Sequence, residues 1–300
     1  MKKSKNCLIY KMLVTAIILL PAFVNAQETT ATTEPAPEKE YIRAVFENGA
    51  VINNQTTQNV GKKSLDFMLQ HRFGIIENDD DLFGLFAPAN IRMGLNYGFT
   101  DRLSVGLGAT KNKMQYDFQG KYNILRQTKG KGMPVTVAYY GDMAKSSKPS
   151  DDFKNTEGEY KNAYRFSYFH EIMISRKMNS KLSLQLAGTF SYFNLIDSAY
   201  GQHAFYGMAF AGRYKFSPQS SVVVDFGYPL NVSGIEEDYK PLPNLGIGYE
   251  VSTGSHQFQI FVCNADGIIN QDINVYNRND FFKGDIMLGF NITRQWGFNK

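Results

Sequence analysis

Apolar and polar residues alternate along most of the chain from Ser64 onward. In the run 65–73 the odd positions are leucine, phenylalanine or histidine, whereas Asp66, Gln70 and Arg72 lie between them. Successive side chains of a β-strand point to opposite faces, so a period of two predicts strands with one apolar and one polar face. About twelve such runs follow one another. Each has roughly 9 to 13 residues, enough for a tilted strand to cross a bilayer, whereas soluble strands have roughly five or six.

The connections between these runs are alternately long and short. Segments 74–89 and 141–161 are long and segments 100–102 and 253–255 are short, although 111–113 is short where a long one is due. Long extracellular loops and tight periplasmic turns are typical of bacterial outer-membrane barrels. The sequence therefore predicts an all-β fold, a transmembrane antiparallel up-and-down β-barrel of about twelve strands with long extracellular loops and short periplasmic turns.

The polar face of these strands is expected to line the barrel lumen. The lumen-lining residues predicted in this way are Asp66, Arg72, Arg92, Asp117, Lys121, Arg165, Phe169, Glu171, Met173, Arg213, Asp225 and Glu250. Acidic and basic residues are nearly equal at inward positions, whereas a charge-selective porin is expected to bias one sign. Charge pairs would suit a narrow, largely filled barrel. The inward apolar side chains either fill space, which we favour, or line a small hydrophobic channel.

The apolar face carries aromatic residues near the ends of several predicted strands. These residues are Tyr97, Tyr139, Tyr164, Tyr192, Tyr214, Tyr228 and Trp296. Tyrosine and tryptophan are enriched where a membrane barrel meets the lipid headgroups. The pattern therefore predicts an aromatic girdle on the outer surface of the barrel.

Composition favours the same fold. Aromatic residues form 14 % of the chain, with 18 Tyr and 23 Phe, yet no apolar run after residue 26 is long enough for a membrane helix. Alternation of lipid-facing and lumen-facing side chains produces this combination, because each strand is only half apolar.

The first sixty residues predict an exported protein. Four lysines precede the apolar run 12–23, and Ala26 supplies a small residue for cleavage, so we expect a signal peptide over 1–26 that is cut after Ala26. The polar segment 27–40 is expected to be a disordered periplasmic tether, followed by the barrel domain over 41–300. Within that domain, residues 41–60 either pack against the barrel mouth or enter its lumen, and the sequence leaves both alternatives open.

Charge and cysteine content restrict the function. The chain has 32 Lys and Arg and 28 Asp and Glu, and the expected signal peptide contains four lysines and no acid. The mature chain is therefore electrically balanced, which argues against nucleic-acid binding. Cys263 is the one cysteine expected after cleavage, so neither an intramolecular disulfide nor a cysteine-based metal site is predicted.

Catalytic and metal-binding interpretations have weaker support. His71, His170 and His256 share the outward face, but no histidine of the chain lies in the His-x-Ser-Asn-Gly string of membrane phospholipase barrels. The acidic run 78–81 offers oxygen ligands for calcium, but its spacing fits no EF-hand, and a solvated loop is favoured. We therefore predict no catalytic residues, no metal and no cofactor.

Several strings of the sequence resemble one known family. They are segments 65–74, 81–95, 133–141, 167–177 and 291–296. Together they are similar to a family of outer-membrane barrel proteins designated domain of unknown function 5777. The similarity covers about residues 43–298 and implies a barrel fold and an outer-membrane location. It implies no activity, ligand or catalytic residue.

The favoured function is that of a barrel embedded in outer-membrane lipid that forms a narrow channel or uptake pore for a small solute. The alternative is a non-conducting barrel that binds a protein partner, still unidentified, through the loops 141–161 and 264–283. An outer-membrane hydrolase with a Ser-His-carboxylate site assembled from distant strands is less favoured.

Overall fold

The structure is a computed structural model that describes residues 40–77, 82–130 and 132–298. The expected signal peptide, nearly all of the expected tether and the acidic run 78–81 lie outside these residues. No helix in the described ranges is both long and apolar enough to cross a membrane.

Twelve antiparallel strands form a closed barrel, which confirms the predicted fold. They are β3 (Ser64–Ile75), β4 (Asn90–Gly98), β5 (Leu103–Thr110), β6 (Gln115–Leu125), β7 (Thr136–Ser146), β8 (Phe166–Lys177), β9 (Leu182–Phe193), β10 (Ala204–Lys215), β11 (Ser220–Pro229), β12 (Asn244–Thr253), β13 (His256–Cys263) and β14 (Met287–Gly297). Each strand pairs with its neighbour in sequence, and β14 closes the barrel against β3 with Trp296 opposite Leu65.

The two ends of the barrel differ in the length of their connections. One end, the loop end, carries segments 76–89, 147–165, 194–203, 230–243 and 264–286. The other end, the turn end, carries segments 99–102, 178–181, 216–219 and 254–255. Two links break the alternation, because 111–114 at the loop end is short and 126–135 at the turn end is longer than the other turns.

Burial alternates along the strands, as the sequence pattern predicts. In β3, Ser64, Asp66, Met68, Gln70 and Arg72 are buried, and the residues between them are partly exposed on the outer face. That outer face is apolar, as the outward-facing side chains of β5, β9 and β13 illustrate. Leu107 is 63 % exposed, Leu186 60 % and Ile260 58 %. An apolar surface of this kind suits contact with lipid.

Strand β7 is longer than its sequence pattern predicts. The predicted loop begins at Gly141, but the strand continues to Ser146. Glycine at an outward position interrupts the apolar row, although Met143 and Lys145 continue on the same face. As a result Asp142 lies on the inner wall, and the prediction that this segment is a loop was wrong over 141–146.

The segment before β3 enters the lumen, which settles the alternative that the sequence left open. Residues 44–60, here called the plug segment, contain a short hairpin of β1 (Ala50–Val51) and β2 (Asn54–Gln55). The chain is anchored at the turn end just before the plug segment, where the Ile42 amide donates to the Gln127 carbonyl at 2.9 Å. It returns to the turn end to begin β3, so the plug segment is re-entrant.

A second insertion comes from the loop end. Residues 264–286, here called the inserted loop, contain the helix α1 (Asn270–Tyr276), most of which is buried. The Asn274 side-chain amide donates to Thr189 Oγ1 of β9 at 3.2 Å. The longest connection of the barrel is therefore folded inward against the wall.

We expect Leu107→Arg to destabilise the protein in lipid vesicles by about 2–4 kcal/mol, because it places a charge on the lipid-facing surface. Urea unfolding followed by the fluorescence of Trp296, the single tryptophan, measures this change. Gln219→Arg, in an exposed turn, is the matched control and should change stability by no more than about 0.5 kcal/mol. Equal effects of both substitutions would contradict the assignment of the outer face to lipid.

Candidate functional site

The inner wall carries the predicted lumen residues, with one exception. Eleven of the twelve lie on barrel strands and are at least nine-tenths buried. Arg165 is the exception, because it lies in the 3₁₀ turn Asn162–Arg165 ahead of β8. Its guanidinium donates to the backbone carbonyls of Ser146 and Lys148 and to the Tyr160 hydroxyl. Its expected position in the lumen is corrected to the loop end, because β8 begins one residue later.

Two arginines of the wall form ion pairs with wall carboxylates. Arg92 on β4 makes two parallel hydrogen bonds to Asp117 on β6, at 2.9 and 2.5 Å. Arg213 Nε on β10 donates to Glu250 Oε1 on β12 at 2.6 Å. A buried charge is tolerated when it is paired and hydrogen-bonded, and these pairs meet that condition.

The two other basic residues predicted to line the lumen on the strands bind the plug segment. Arg72 Nη2 donates to the Ile52 carbonyl at 3.1 Å and to Asn53 Oδ1 at 3.0 Å. Lys121 Nζ donates to the Gly49 carbonyl at 2.8 Å. These cations therefore hold the backbone of the plug segment instead of forming close ion pairs with the wall.

Four carboxylates of the wall are left with incomplete hydrogen bonding. Asp66, Asp142, Glu171 and Asp225 are buried, and each has one oxygen without a hydrogen-bond partner among the described residues. Asp225 does accept a hydrogen bond from the Asn53 amide at 3.2 Å through its other oxygen. A buried acceptor without a partner costs about 1–3 kcal/mol. The closed lumen therefore carries acidic groups that its own contacts do not fully satisfy.

Amide side chains of the wall bind the backbone of the plug hairpin. Gln259 accepts from the Ile52 amide at 3.2 Å and donates to the Ala50 carbonyl at 3.1 Å. Gln185 on β9 makes the same kind of pair, accepting from the Thr57 amide at 3.0 Å and donating to Gln55 at 2.7 Å. These bonds satisfy backbone groups that would otherwise be buried without partners.

Apolar packing adds to these polar contacts on one side of the hairpin. Phe46, Val51 and Ile52 belong to a buried cluster with Val223 and Phe261 of the wall. The hairpin therefore has an apolar side against β11 and β13 and polar contacts with other strands. At its tip Ile52 has a positive φ of 51°, a conformation rare for a β-branched residue.

The plug segment and the inserted loop meet inside the barrel. The Asn270 side-chain amide donates to the Asn53 carbonyl at 3.0 Å, so the start of α1 contacts the hairpin tip. Lys113 in the loop-end turn forms an ion pair with Asp272 of α1 at 2.9 Å. Burial lowers the pKa of the Lys113 ammonium, and the Asp272 carboxylate opposes that effect.

Little space remains in the lumen. A cavity of about 30 Å³ lies between the plug segment and the wall, next to Asp66, Arg92 and Tyr140. A volume of this size holds one or two water molecules. A second cavity, of about 180 Å³, lies at the turn end beside Ala44 and Arg126. In this conformation the plug segment and the inserted loop occupy much of the lumen among the described residues.

The predicted girdle residues fall into two groups along the barrel. The structure places Tyr97, Tyr139, Tyr214 and Trp296 on the outer face of the turn-end half, and Tyr192 and Tyr228 on the outer face of the loop-end half. Tyr164 lies in the same 3₁₀ turn as Arg165, ahead of the strand that was expected to contain it.

The outward histidines lie among aromatic side chains. His71 stacks on Phe290 with ring centroids 5.0 Å apart, and His256 stacks on Phe258 at 6.2 Å. His170 Nδ1 shares a hydrogen bond of 2.6 Å with the Tyr139 hydroxyl. These contacts fit histidines that belong to an aromatic outer surface.

Comparison with known families identifies the chain. Residues 46–296 match the family described as Membrane bound beta barrel domain (DUF5777). The chain belongs to this family. The match begins inside the plug segment and includes every barrel strand, so it covers both the wall and the hairpin within it. A comparison with curated protein sequences finds no match.

Solved structures similar to this chain include porins. The NanC porin matches with a TM-score of 0.48 and 10 % identity, over 76 % of this chain and 97 % of its own. The KdgM porin matches with a TM-score of 0.45 and 10 % identity, over 79 % and 99 %. An outer membrane channel from Pseudomonas putida F1 has a TM-score of 0.46 and 12 % identity, over 79 % and 96 %.

We expect Arg72→Met to increase hydrogen exchange in residues 44–60 more than tenfold, because it removes two charged hydrogen bonds from the hairpin tip. Hydrogen bonds to charged groups contribute about 1.5–3 kcal/mol each, and 1.4 kcal/mol is a factor of ten. Mass-spectrometric exchange on the folded protein in detergent measures this. Arg176→Met, on the exposed face of β8, is the control and should leave these residues unchanged. Unchanged exchange in Arg72→Met would show that the cation does not hold the plug segment.

Proposed function

We propose that this protein is an outer-membrane channel for a small polar solute, closed at rest by the plug segment. The loop end faces the outside of the cell and the turn end faces the periplasm, as in other bacterial barrels. The observation that carries the proposal is the re-entrant plug hairpin, which a polar wall holds inside the barrel by hydrogen bonds to its backbone.

The path of the chain permits withdrawal of the plug segment. The chain just before the plug segment, at Ile42, and the last residues of the plug segment before β3 both lie at the turn end. The hairpin can therefore leave toward the periplasm without threading any part of the chain through the barrel. No strand pairing of the barrel is broken, because β1 and β2 pair with each other and with no wall strand.

The wall provides alternative partners for the groups that the plug segment would release. Lys121 interacts electrostatically with Glu171 and Asp66, two of the four wall carboxylates that have an unpartnered oxygen. Arg72 interacts in the same way with Asp225. After withdrawal these cations can pair with the wall acids, which offsets part of the lost plug contacts. This re-pairing lowers the free-energy cost of opening.

The inner wall that withdrawal of the plug segment would expose favours the passage of a polar solute. The inner faces of the strands are rich in amides, hydroxyls and ion pairs, and apolar patches lie around Phe169 and Met173 and around Val223 and Phe261. A small hydrophilic molecule can exchange its hydration for such groups as it passes.

A non-conducting barrel that binds a protein partner is the second candidate. It is favoured by the contact between Asn270 and Asn53, because the lumen is then closed from both ends. The two candidates differ in one respect, namely whether removal of both insertions produces a pore.

We expect the variant Thr57→Cys/Ser175→Cys to be silent in planar bilayers when oxidised and to show transient channel openings when reduced. The two hydroxyls are in direct contact between the plug segment and β8, so a disulfide can replace that contact. Conductance before and after a thiol reductant measures the effect. Each single cysteine variant is a control and should conduct equally with and without the reductant.

A second set of variants separates the two candidates. One lacks residues 44–60, one has α1 replaced by a glycine-serine linker, and one combines both changes. We expect the combined variant to have the largest and most persistent conductance, because both insertions occupy the lumen. If the combined variant folds, as judged by its resistance to unfolding in detergent, and conducts nothing, the channel proposal fails and the partner-binding barrel is favoured.

A further inference from the structure

The plug segment contains one charged residue, and three cations surround it. That residue is Glu47. We propose that Glu47 occupies an anion-binding site at the turn-end mouth, formed by Arg213, Lys215 and Lys177, and that small polycarboxylates compete for this site. The inference deepens the proposed channel function, since it names a ligand class and a way in which the plug segment is released.

The contacts of Glu47 are those of a loosely held ligand. Its Oε1 lies 3.5 Å from Arg213 Nη2 and 3.7 Å from Lys215 Nζ. Charge-assisted hydrogen bonds between such groups usually measure about 2.7–2.9 Å. The carboxylate therefore lies within the field of both cations without a tight hydrogen bond to either, and a better-fitting carboxylate can replace it.

Arg213 is fixed in the wall, and one of its donor nitrogens has no hydrogen-bond partner among the described residues. It is 3 % exposed, and its Nε is fixed by Glu250 at 2.6 Å. Glu250 in turn accepts a hydrogen bond from Gln259 at 2.8 Å, so the guanidinium has a fixed orientation. Its Nη2, which faces Glu47, is buried and has no hydrogen-bond partner among the described residues. A buried, oriented guanidinium nitrogen without a partner is the donor that an anion requires.

Neighbouring groups extend the site along the turn-end rim. Lys177 of β8 interacts electrostatically with Glu47, and its Nζ donates to the Ala44 carbonyl at 3.3 Å. Ser221 of β11 lies opposite Lys215 of β10, and its buried hydroxyl also lacks a partner among the described residues. The site therefore offers two further donors beside the guanidinium.

The charge balance favours an added anion. Lys177, Arg213 and Lys215 face Glu47 and Glu250, so one positive charge remains unmatched while the plug segment is in place. Removal of Glu47 leaves two. A ligand with two or three carboxylates matches that excess better than a single side-chain carboxylate does.

The site is open to water from the turn end. The side chains of Glu47 and Lys215 are 29 % and 28 % exposed, and Lys215 and Lys177 each precede a short turn. The cavity of about 180 Å³ beside Ala44 and Val45 adjoins the site, because Lys177 and Ser183 bind the carbonyls of those two residues. A small solute arriving from the turn end can reach the cations without passing the hairpin.

Binding of citrate tests the site. Isothermal titration calorimetry on the folded full-length protein in detergent compares the wild type with Glu47→Gln, and trimethyl citrate serves as the uncharged probe. We expect Glu47→Gln to bind citrate at least tenfold more tightly than the wild type, because the internal competitor is removed. Trimethyl citrate should not bind. Glu40→Gln, which removes another ion-paired carboxylate of the N-terminal region, is the matched control and should behave as the wild type.

A second substitution tests the cations without disturbing the buried Arg213–Glu250 pair. Lys215→Gln, added to Glu47→Gln, should weaken citrate binding at least fivefold. Citrate affinity that is the same in the wild type and in Glu47→Gln, or is unaffected by Lys215→Gln, would overturn the site. These measurements need no pore, so they remain decisive even if every plug variant fails to conduct.

Coupling to the plug segment has its own readout. Citrate at saturation should speed hydrogen exchange in residues 44–60 of the wild type several-fold, since it displaces the Glu47 anchor. Tight citrate binding with unchanged exchange would leave the anion site in place and overturn its role in plug release.

Discussion

A protein surface in contact with lipid has no water to satisfy its backbone, and this constraint determines the rest of the structure. All backbone donors and acceptors of a spanning sheet must pair within the sheet, which requires closure of β14 on β3. Closure leaves outer side chains facing hydrocarbon and inner side chains facing one another. The polar inner surface then needs partners, and the plug segment and the inserted loop supply many of them.

The balance between the wall and its insertions explains how a barrel can be closed without being rigidly filled. Arg92 and Arg213 are paired within the wall and would remain so in an empty lumen. Arg72 and Lys121 instead hold carbonyl oxygens of the hairpin, while nearby carboxylates keep an unpartnered oxygen. In the proposed open arrangement, the neighbouring acids would replace the backbone carbonyls as partners of these cations. An entirely apolar plug would offer these cations no hydrogen-bond acceptors, so no such exchange of partners could take place.

The barrel itself could be predicted from the sequence because a period of two is a local signal. Each strand carries its own pattern, and eleven of the twelve residues predicted to face inward do lie on the inner wall. The failures are local as well. Gly141 interrupts the apolar row of β7, so the pattern did not predict the second half of that strand or the inward position of Asp142. Arg165 lies outside the lumen because β8 begins one residue after it.

The insertions could not be predicted in the same way, because they depend on contacts between residues distant in sequence. The plug segment is short and contains both polar and apolar residues. Nothing in its sequence indicates whether it lies at the mouth of the barrel or inside the lumen. Its place is fixed by Gln259, which is 207 residues from Ile52, and by Gln185, which is 128 residues from Thr57. The Asn-Asn pair at 53–54 signals a turn, but a turn signal does not state which surface surrounds it.

The meeting of the two insertions at Asn53 and Asn270 has a consequence for the cell envelope. Each insertion is tethered to its own end of the barrel, so two separate parts of the chain fill the lumen. Damage to one, by proteolysis of a surface loop for example, leaves the other in position. Changes in the inserted loop therefore need not displace the plug segment, which keeps its own hydrogen bonds to the wall.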